Sequence, residues 1–176
     1  MLGRLLRRRR AAAGAYEVRF EHETQRLASR FLGAVADGDL ARMWEGLSRE
    51  TRGLLEGRYA ARAGVALERA AGVAAADDAR LDEVVGPLQG AVLAALGGPE
   101  RLGGIGVSAA RLVDRDTAFV LLLPDIGEGR IVAEADWRPE HLLAFVRESR
   151  EWCVDLGRTA ELSAEAELGS PLGTLR

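Results

Sequence analysis

The stretch RLVDRDTAFVLLLPDIGEGRIVAEADWRPEHLLAFVRESREWCVDL, residues 111–156, decides the fold class of this chain. Its first part predicts two strands that turn at Asp114-Arg115-Asp116 and close at Pro124. Apolar and charged residues then alternate over residues 131–137, which predicts a strand with one buried face. A hairpin follows, with one strand at 141–147 and the next alternating from Trp152 to Leu156. The C-terminal half therefore indicates an antiparallel sheet.

The N-terminal half predicts helices that cover this sheet. Apolar residues recur at helical spacing from Tyr16 onward, and the pattern stops at the Asp37-Gly38 turn, where glycine suits the C-terminal position. Asp39 is a good N-cap for a short helix over 40–47. Helices followed by a meander of strands are typical of an α+β domain, with N-terminal helices packed on one face of the sheet.

Two more helices are predicted before the sheet begins. Ser48 is a good N-cap for a helix from Arg49 to about Ala63. Pro87 is well placed to open another helix that runs to Leu96, because proline is favoured in the first turn. We interpret the whole region 64–106, which is rich in alanine and glycine, as a variable insert of helix and loop.

We predict a single domain over residues 15–157. Residues 1–14 are expected to form a disordered basic arm, because they combine a run of arginines with small residues. Residues 158–176 lack a core-forming pattern and are predicted to be a flexible C-terminal tail.

The charge pattern argues against nucleic-acid binding. All 24 residues counted as Lys+Arg are arginine, which indicates the coding bias of a GC-rich, bacterial genome and makes arginine weak evidence for a phosphate site. Five of them stand in the first ten residues, so the remainder of a chain of net charge −3 is acidic. A nucleic-acid-binding domain usually shows a basic face instead. An alternative is that the arm, through Arg7–Arg10, contacts an anionic membrane surface or nucleic acid.

Metal, disulfide and cofactor sites are not expected. Cys153 is the only cysteine, and His22 and His141 have no carboxylate at a recognised metal spacing. Residues 104–109 fit the dinucleotide fingerprint G-x-G-x-x-A, but the residues around them predict a loop. No stretch has the apolar core of a signal peptide or a transmembrane helix, so we predict a cytoplasmic protein.

Two segments resemble NTF2-like domains. FLGAVADGDLARMWEGLSRETRGLL, residues 31–55, is similar to their opening, where a long helix ends in a Gly-Asp turn before a short helix with a large apolar residue. WRPEHLLAFVRESREWCVDL, residues 137–156, resembles their closing hairpin. The resemblance implies a strongly curved, cone-shaped sheet whose wide side is closed by helices. It also implies a choice among isomerases, dehydratases, polyketide cyclases, transport factors and non-catalytic binding modules, which fold alone does not decide.

In such a cone a ligand cavity would lie between the sheet and the first three helices. Strand alternation directs Glu134, Asp136 and Asp155 away from this cavity, so no catalytic constellation is evident. The predicted wall, whose aromatic members fit a filled core equally well, comprises Trp44, Tyr59, Phe119, Trp137, His141 and Trp152.

We therefore predict a non-enzymatic module that binds a small apolar ligand or a protein partner. A homodimer is expected through an exposed sheet face that carries Val132, Val146 and Cys153. The alternative is a cavity enzyme of the isomerase, dehydratase or polyketide-cyclase type, which would need a buried ionisable group aimed into the cavity.

Overall fold

The structure is a computed structural model that describes residues 15–71, 78–124, 139–169 and 171, without the side chains of 15–22 and 78. Its helices are Ala15–Asp37 (α1), Leu40–Glu45 (α2), Arg49–Ala63 (α3), Leu67–Ala70 (α4), Asp78–Leu96 (α5), Pro99–Leu102 (α6) and Leu156–Ala166 (α7). Its strands are Gly106–Val107 (β1), Arg111–Leu112 (β2), Thr117–Leu123 (β3), His141–Glu148 (β4) and Glu151–Val154 (β5).

The strands form one curved antiparallel sheet in the order β1-β3-β4-β5, and β2 also pairs with β3. In the central pair, Thr117 lies opposite Val146 and Leu121 lies opposite Leu142. The β4–β5 hairpin turns at Ser149 and Arg150, and both have positive φ angles, as a two-residue turn of type I′ requires. The predicted α+β class, with helices packed on a curved antiparallel sheet, is confirmed.

The inner face of the sheet packs against the helices and forms the main core. Phe145 and Val154 lie opposite each other on β4 and β5, and both are fully buried. Met43 of α2 and Leu88 of α5 are buried in the same cluster. Large side chains from both layers thus fill the interior between sheet and helices, as interior packing requires.

Helix α5 belongs to this core and corrects the prediction that Pro87 opens a helix. It begins at Asp78, so Pro87 lies inside the helix and does not open it. A proline has no N–H to donate to the carbonyl four residues earlier, here Glu83. Arg62 Nη2 donates to that oxygen at 2.6 Å, so a neighbouring helix supplies the missing donor. The predicted variable insert contributes buried residues to the main core: Leu81, Val84, Val85, Leu88, Val92, Leu96 and Leu102.

Helix α7 covers the outer face of the sheet, and this corrects the predicted flexible tail over residues 158–166. Leu162 and Ala166 of α7 are buried in a second cluster. The sheet contributes Phe119, Leu121, Leu142 and Ala144 to the same cluster. Thr159 fixes the helix to β4, because its hydroxyl donates to Asp155 O at 2.6 Å and accepts from Ala144 N at 3.0 Å. Much of the face expected to be exposed is thus occupied within the chain. The homodimer itself stays a prediction.

Two of the predicted helix starts are confirmed by their caps. Asp39 Oδ1 accepts from Arg42 N at 3.0 Å, and Ser48 Oγ accepts from Thr51 N at 3.1 Å. Helix α3 has the bounds that the sequence predicts. The strand predicted at 131–137, with Val132 and Trp137, and the basic arm lie outside the described residues. In the part of the chain that the structure describes, no helix is long and apolar enough to cross a membrane.

Candidate functional site

A groove lies where α1 crosses β5. It has a volume of about 320 Å³ and is partly open to solvent. Its floor is apolar, because Phe31 of α1 and Trp152 of β5 are only 2 % and 5 % exposed and Leu27 is half-buried beside them. We call it the α1–β5 groove, and its lining residues in the described part of the chain are Glu23, Leu27, Arg30, Phe31, Arg42, Glu45, Gly46, Glu151, Trp152 and Cys153.

The rim of the α1–β5 groove is charged. Three exposed carboxylates come from three different elements: Glu23 from α1, Glu45 from α2 and Glu151 from β5. Within the described residues none of the three forms an ion pair, whereas Arg42 Nε lies 3.5 Å from Asp39 Oδ2. Among the described lining residues, three carboxylates thus stand against the guanidinium groups of Arg30 and Arg42, and that of Arg42 is paired with Asp39, so this part of the rim is acidic. An apolar floor with an acidic rim suits a ligand that has both apolar and cationic groups.

A buried polar cluster joins the starts of α3 and α7. Ser48 Oγ lies 2.6 Å from Asp155 Oδ2 and 2.9 Å from Thr51 Oγ1. Asp155 Oδ1 accepts from Arg158 N at 2.8 Å, and Thr51 Oγ1 accepts from Leu156 N at 2.9 Å. Ser48 and Asp155 are therefore the N-caps of two helices and are bonded to each other.

This cluster corrects the predicted orientation of Asp155, which is 2 % exposed and does not face solvent. The alternation of β5 stops at Val154, and Asp155 already belongs to the start of α7. Asp155 is the buried carboxylate among the described residues, and its two oxygens accept from a hydroxyl and a helix N–H. Its contacts are those of a structural cap.

The structure separates the predicted wall residues. Trp152 lines the α1–β5 groove, whereas His141 lies by a small pocket of about 20 Å³ with Arg101 and Glu140. Tyr59 lines a shallow depression of about 350 Å³ beside Pro87. The other two described residues of the predicted wall, Trp44 and Phe119, line none of these three pockets.

Of these remaining members, Trp44 lies under Arg52, whose guanidinium carbon is 5.5 Å from the ring centroid. Phe119 does not face the helices α1–α3 as expected, because it lies on the outer face of the sheet beneath α7. Trp137 lies outside the described residues. The six residues therefore do not form one cavity wall in the described part of the chain.

Sequence reasoning missed the charged half of the α1–β5 groove. Glu23, Glu45 and Glu151 each look like ordinary residues of a solvated face, and their convergence depends on how α1 crosses β5. No local pattern carries that information. A metal site is not indicated either, because the described residues contain no group of three His, Cys, Asp or Glu side chains able to hold an ion.

Cys153 lines the groove edge and is half-buried. Burial raises the pKa of its thiol above that of an ordinary cysteine, and the nearby Glu148 carboxylate raises this pKa further. The thiolate is the reactive form, so Cys153 is expected to be a poor nucleophile near neutral pH.

We expect iodoacetamide to alkylate Cys153 in the folded protein several-fold more slowly at pH 8 than a free cysteine. Glu148→Gln removes a charge that opposes thiolate formation, so the pH midpoint of the alkylation rate should move down. Glu151→Gln should lower this pH midpoint less, because Glu151 raises the pKa of the Cys153 thiol less than Glu148 does. Equal midpoints in wild type and Glu148→Gln would show that this carboxylate does not act on the thiol.

Comparison with known protein families, with curated proteins and with solved structures finds no match to this chain. Its function is therefore inferred from the geometry of the α1–β5 groove.

Proposed function

We propose that the protein is a non-enzymatic binding module of the NTF2-like type, and that it holds a basic, partly apolar peptide segment of a protein partner in the α1–β5 groove. The observation that supports this most directly is the apolar floor of Phe31 and Trp152 beneath the unpaired carboxylates of Glu23, Glu45 and Glu151. The groove is partly open to solvent, so a segment of another chain can reach its floor. The ligand chemistry is leucine-like side chains for the floor and guanidinium or ammonium groups for the rim.

The filled interior favours a surface partner over a small ligand held inside the cone. Met43, Leu88 and Phe145 are fully buried between sheet and helices, where a cone-shaped binding fold would place its cavity. The cavity-enzyme alternative needs a buried ionisable group aimed into such a space. Asp155 is buried but is used by two helix starts.

The test is binding of a fluorescein-labelled hexapeptide of alternating leucine and arginine, followed by fluorescence anisotropy with the full chain. We expect saturable binding that weakens as salt rises from low to physiological concentration, because exposed charges are screened. Glu23→Gln with Glu151→Gln should weaken binding by about threefold to thirtyfold, since each of the two exposed contacts contributes roughly 0.3–1 kcal/mol.

The matched control is Glu100→Gln with Glu165→Gln, two exposed carboxylates that do not line the groove. This variant has the same net charge as the groove variant and should bind as the wild type does. A peptide of alternating leucine and glutamate should not bind. If the two double variants lose affinity equally, attraction is general and the groove is not the site.

A further inference from the structure

The N-terminal arm of the chain has the chemistry that the α1–β5 groove requires. Its sequence MLGRLLRRRR contains three leucines, and five arginines in the first ten residues. Leucines suit the floor of Phe31 and Trp152, and arginines suit the rim carboxylates. The rest of the chain is acidic, so the arm is its most concentrated basic segment.

The arm is also attached to α1, the helix that forms one side of the α1–β5 groove. It leads into α1 at Ala15, and α1 supplies Glu23 and Phe31 to the groove. Glu23 lies roughly 12 Å along the helix from Ala15, at about 1.5 Å per residue. The five residues from Arg10 to Ala15 can span roughly 17 Å when extended, so a chain that folds back brings Arg10 to Glu23. The eleven residues from Arg4 reach roughly 36 Å, which is beyond the end of the groove near Phe31.

Resting on the proposed function, we infer that residues 2–10 of the same chain are a built-in competitor for the α1–β5 groove. A segment tethered this closely has an effective concentration on the order of millimolar. Even a weak contact, with a dissociation constant of a few tenths of a millimolar, then occupies the groove most of the time. An external segment must displace the arm, so its apparent affinity falls in proportion to the fraction of free groove.

The experiment compares two variants of equal net charge. One carries Arg8→Ser, Arg9→Ser and Arg10→Ser in the arm. The other carries Arg69→Ser, Arg115→Ser and Arg158→Ser, three exposed arginines outside the groove lining. Both are titrated with the labelled leucine–arginine hexapeptide. We expect the arm variant to bind it at least about threefold more tightly than the control variant, because the competitor is weakened while the overall charge is the same.

The outcomes separate the inference from the proposed function. If both variants bind the peptide with equal affinity, the groove binds peptides but the arm does not compete, and the inference is overturned. If neither binds, the proposed function itself has failed. The combination of Glu23→Gln and Glu151→Gln with the arm changes should remove the difference between arm and control variants.

Light scattering decides which copy supplies the arm. We expect the wild type and the arm variant to have the same mass at each concentration from micromolar to tens of micromolar, because an arm that binds within its own chain does not change the oligomeric state. A mass that rises with concentration in the wild type, and does not rise in the arm variant, would overturn the same-chain contact, because the arm would then occupy the groove of a second copy.

Discussion

Asp155→Ala is expected to lower the free energy of unfolding by about 3 kcal/mol, one of the two largest effects predicted for this protein. The carboxylate caps α7 through Arg158 N, and such a cap contributes about 1 kcal/mol. Its other oxygen accepts from the buried Ser48 hydroxyl at 2.6 Å, and without it one hydroxyl of the buried Ser48–Thr51 pair lacks an acceptor, at a further cost of about 1–3 kcal/mol. Urea unfolding of both proteins measures the difference, with the slope of the transition expected to be unchanged.

The matched control for this change is Asp39→Ala. Asp39 caps α2 in the same way, with Arg42 N at 3.0 Å, but it is partly exposed and joins no second helix. Its loss should cost about 1 kcal/mol or less, because water can satisfy the freed N–H. If Asp39→Ala and Asp155→Ala destabilised the protein equally, the bond between the two caps would have no measurable energy.

A double-mutant cycle with Ser48→Ala isolates that bond. Because Ser48 and Asp155 contact each other, their combined substitution should cost less than the two separate costs added together. We expect a coupling of about 1.5–3 kcal/mol, as is typical for a hydrogen bond to a charged group. Additive costs would mean that the two helix starts are stabilised independently.

The sequence predicts those parts of the fold that local chemistry determines. Ser48 defines the start of α3 at Arg49, because its hydroxyl accepts a hydrogen bond from the N–H of Thr51 in the first turn. This contact does not depend on residues that are distant in the sequence. The β4–β5 hairpin likewise follows from alternation interrupted by a short turn. Both signals lie within a few residues of the structure that they specify.

The parts that were missed depend on distant contacts. Pro87 should begin a helix by local rules, yet Arg62 on α3 provides the donor that lets α5 continue through it. The C-terminal segment has buried positions at helical spacing, but several are small or polar, such as Thr159 and Ser163. These positions form a packing surface only because β3 and β4 offer an apolar face for the helix to cover. The α1–β5 groove is the same case, since its acidic rim exists only after three elements have converged.

Leu162→Ala is expected to lower the free energy of unfolding by about 2–4 kcal/mol, which is the usual cost of truncating a buried leucine. Leu162 is 5 % exposed and packs with Phe119, Leu121 and Leu142 on the outer face of the sheet. Glu165→Ala, an exposed change on the same helix, should alter stability by about 0.5 kcal/mol or less. Urea unfolding compares the two variants, and equal midpoints would show that α7 does not pack on the sheet.

The Leu162→Ala variant also tests whether α7, by covering the outer face of the sheet, limits self-association of the protein. Undocking of α7 would uncover Phe119, Leu121 and Leu142 as one apolar patch, and such patches promote contact between chains. We therefore expect the mass of the Leu162→Ala protein, measured by light scattering, to rise with concentration more steeply than that of Glu165→Ala. A steeper rise would mean that α7 occupies the face through which two copies would otherwise pair. An identical response would mean that the outer face stays covered even when the packing of Leu162 is lost.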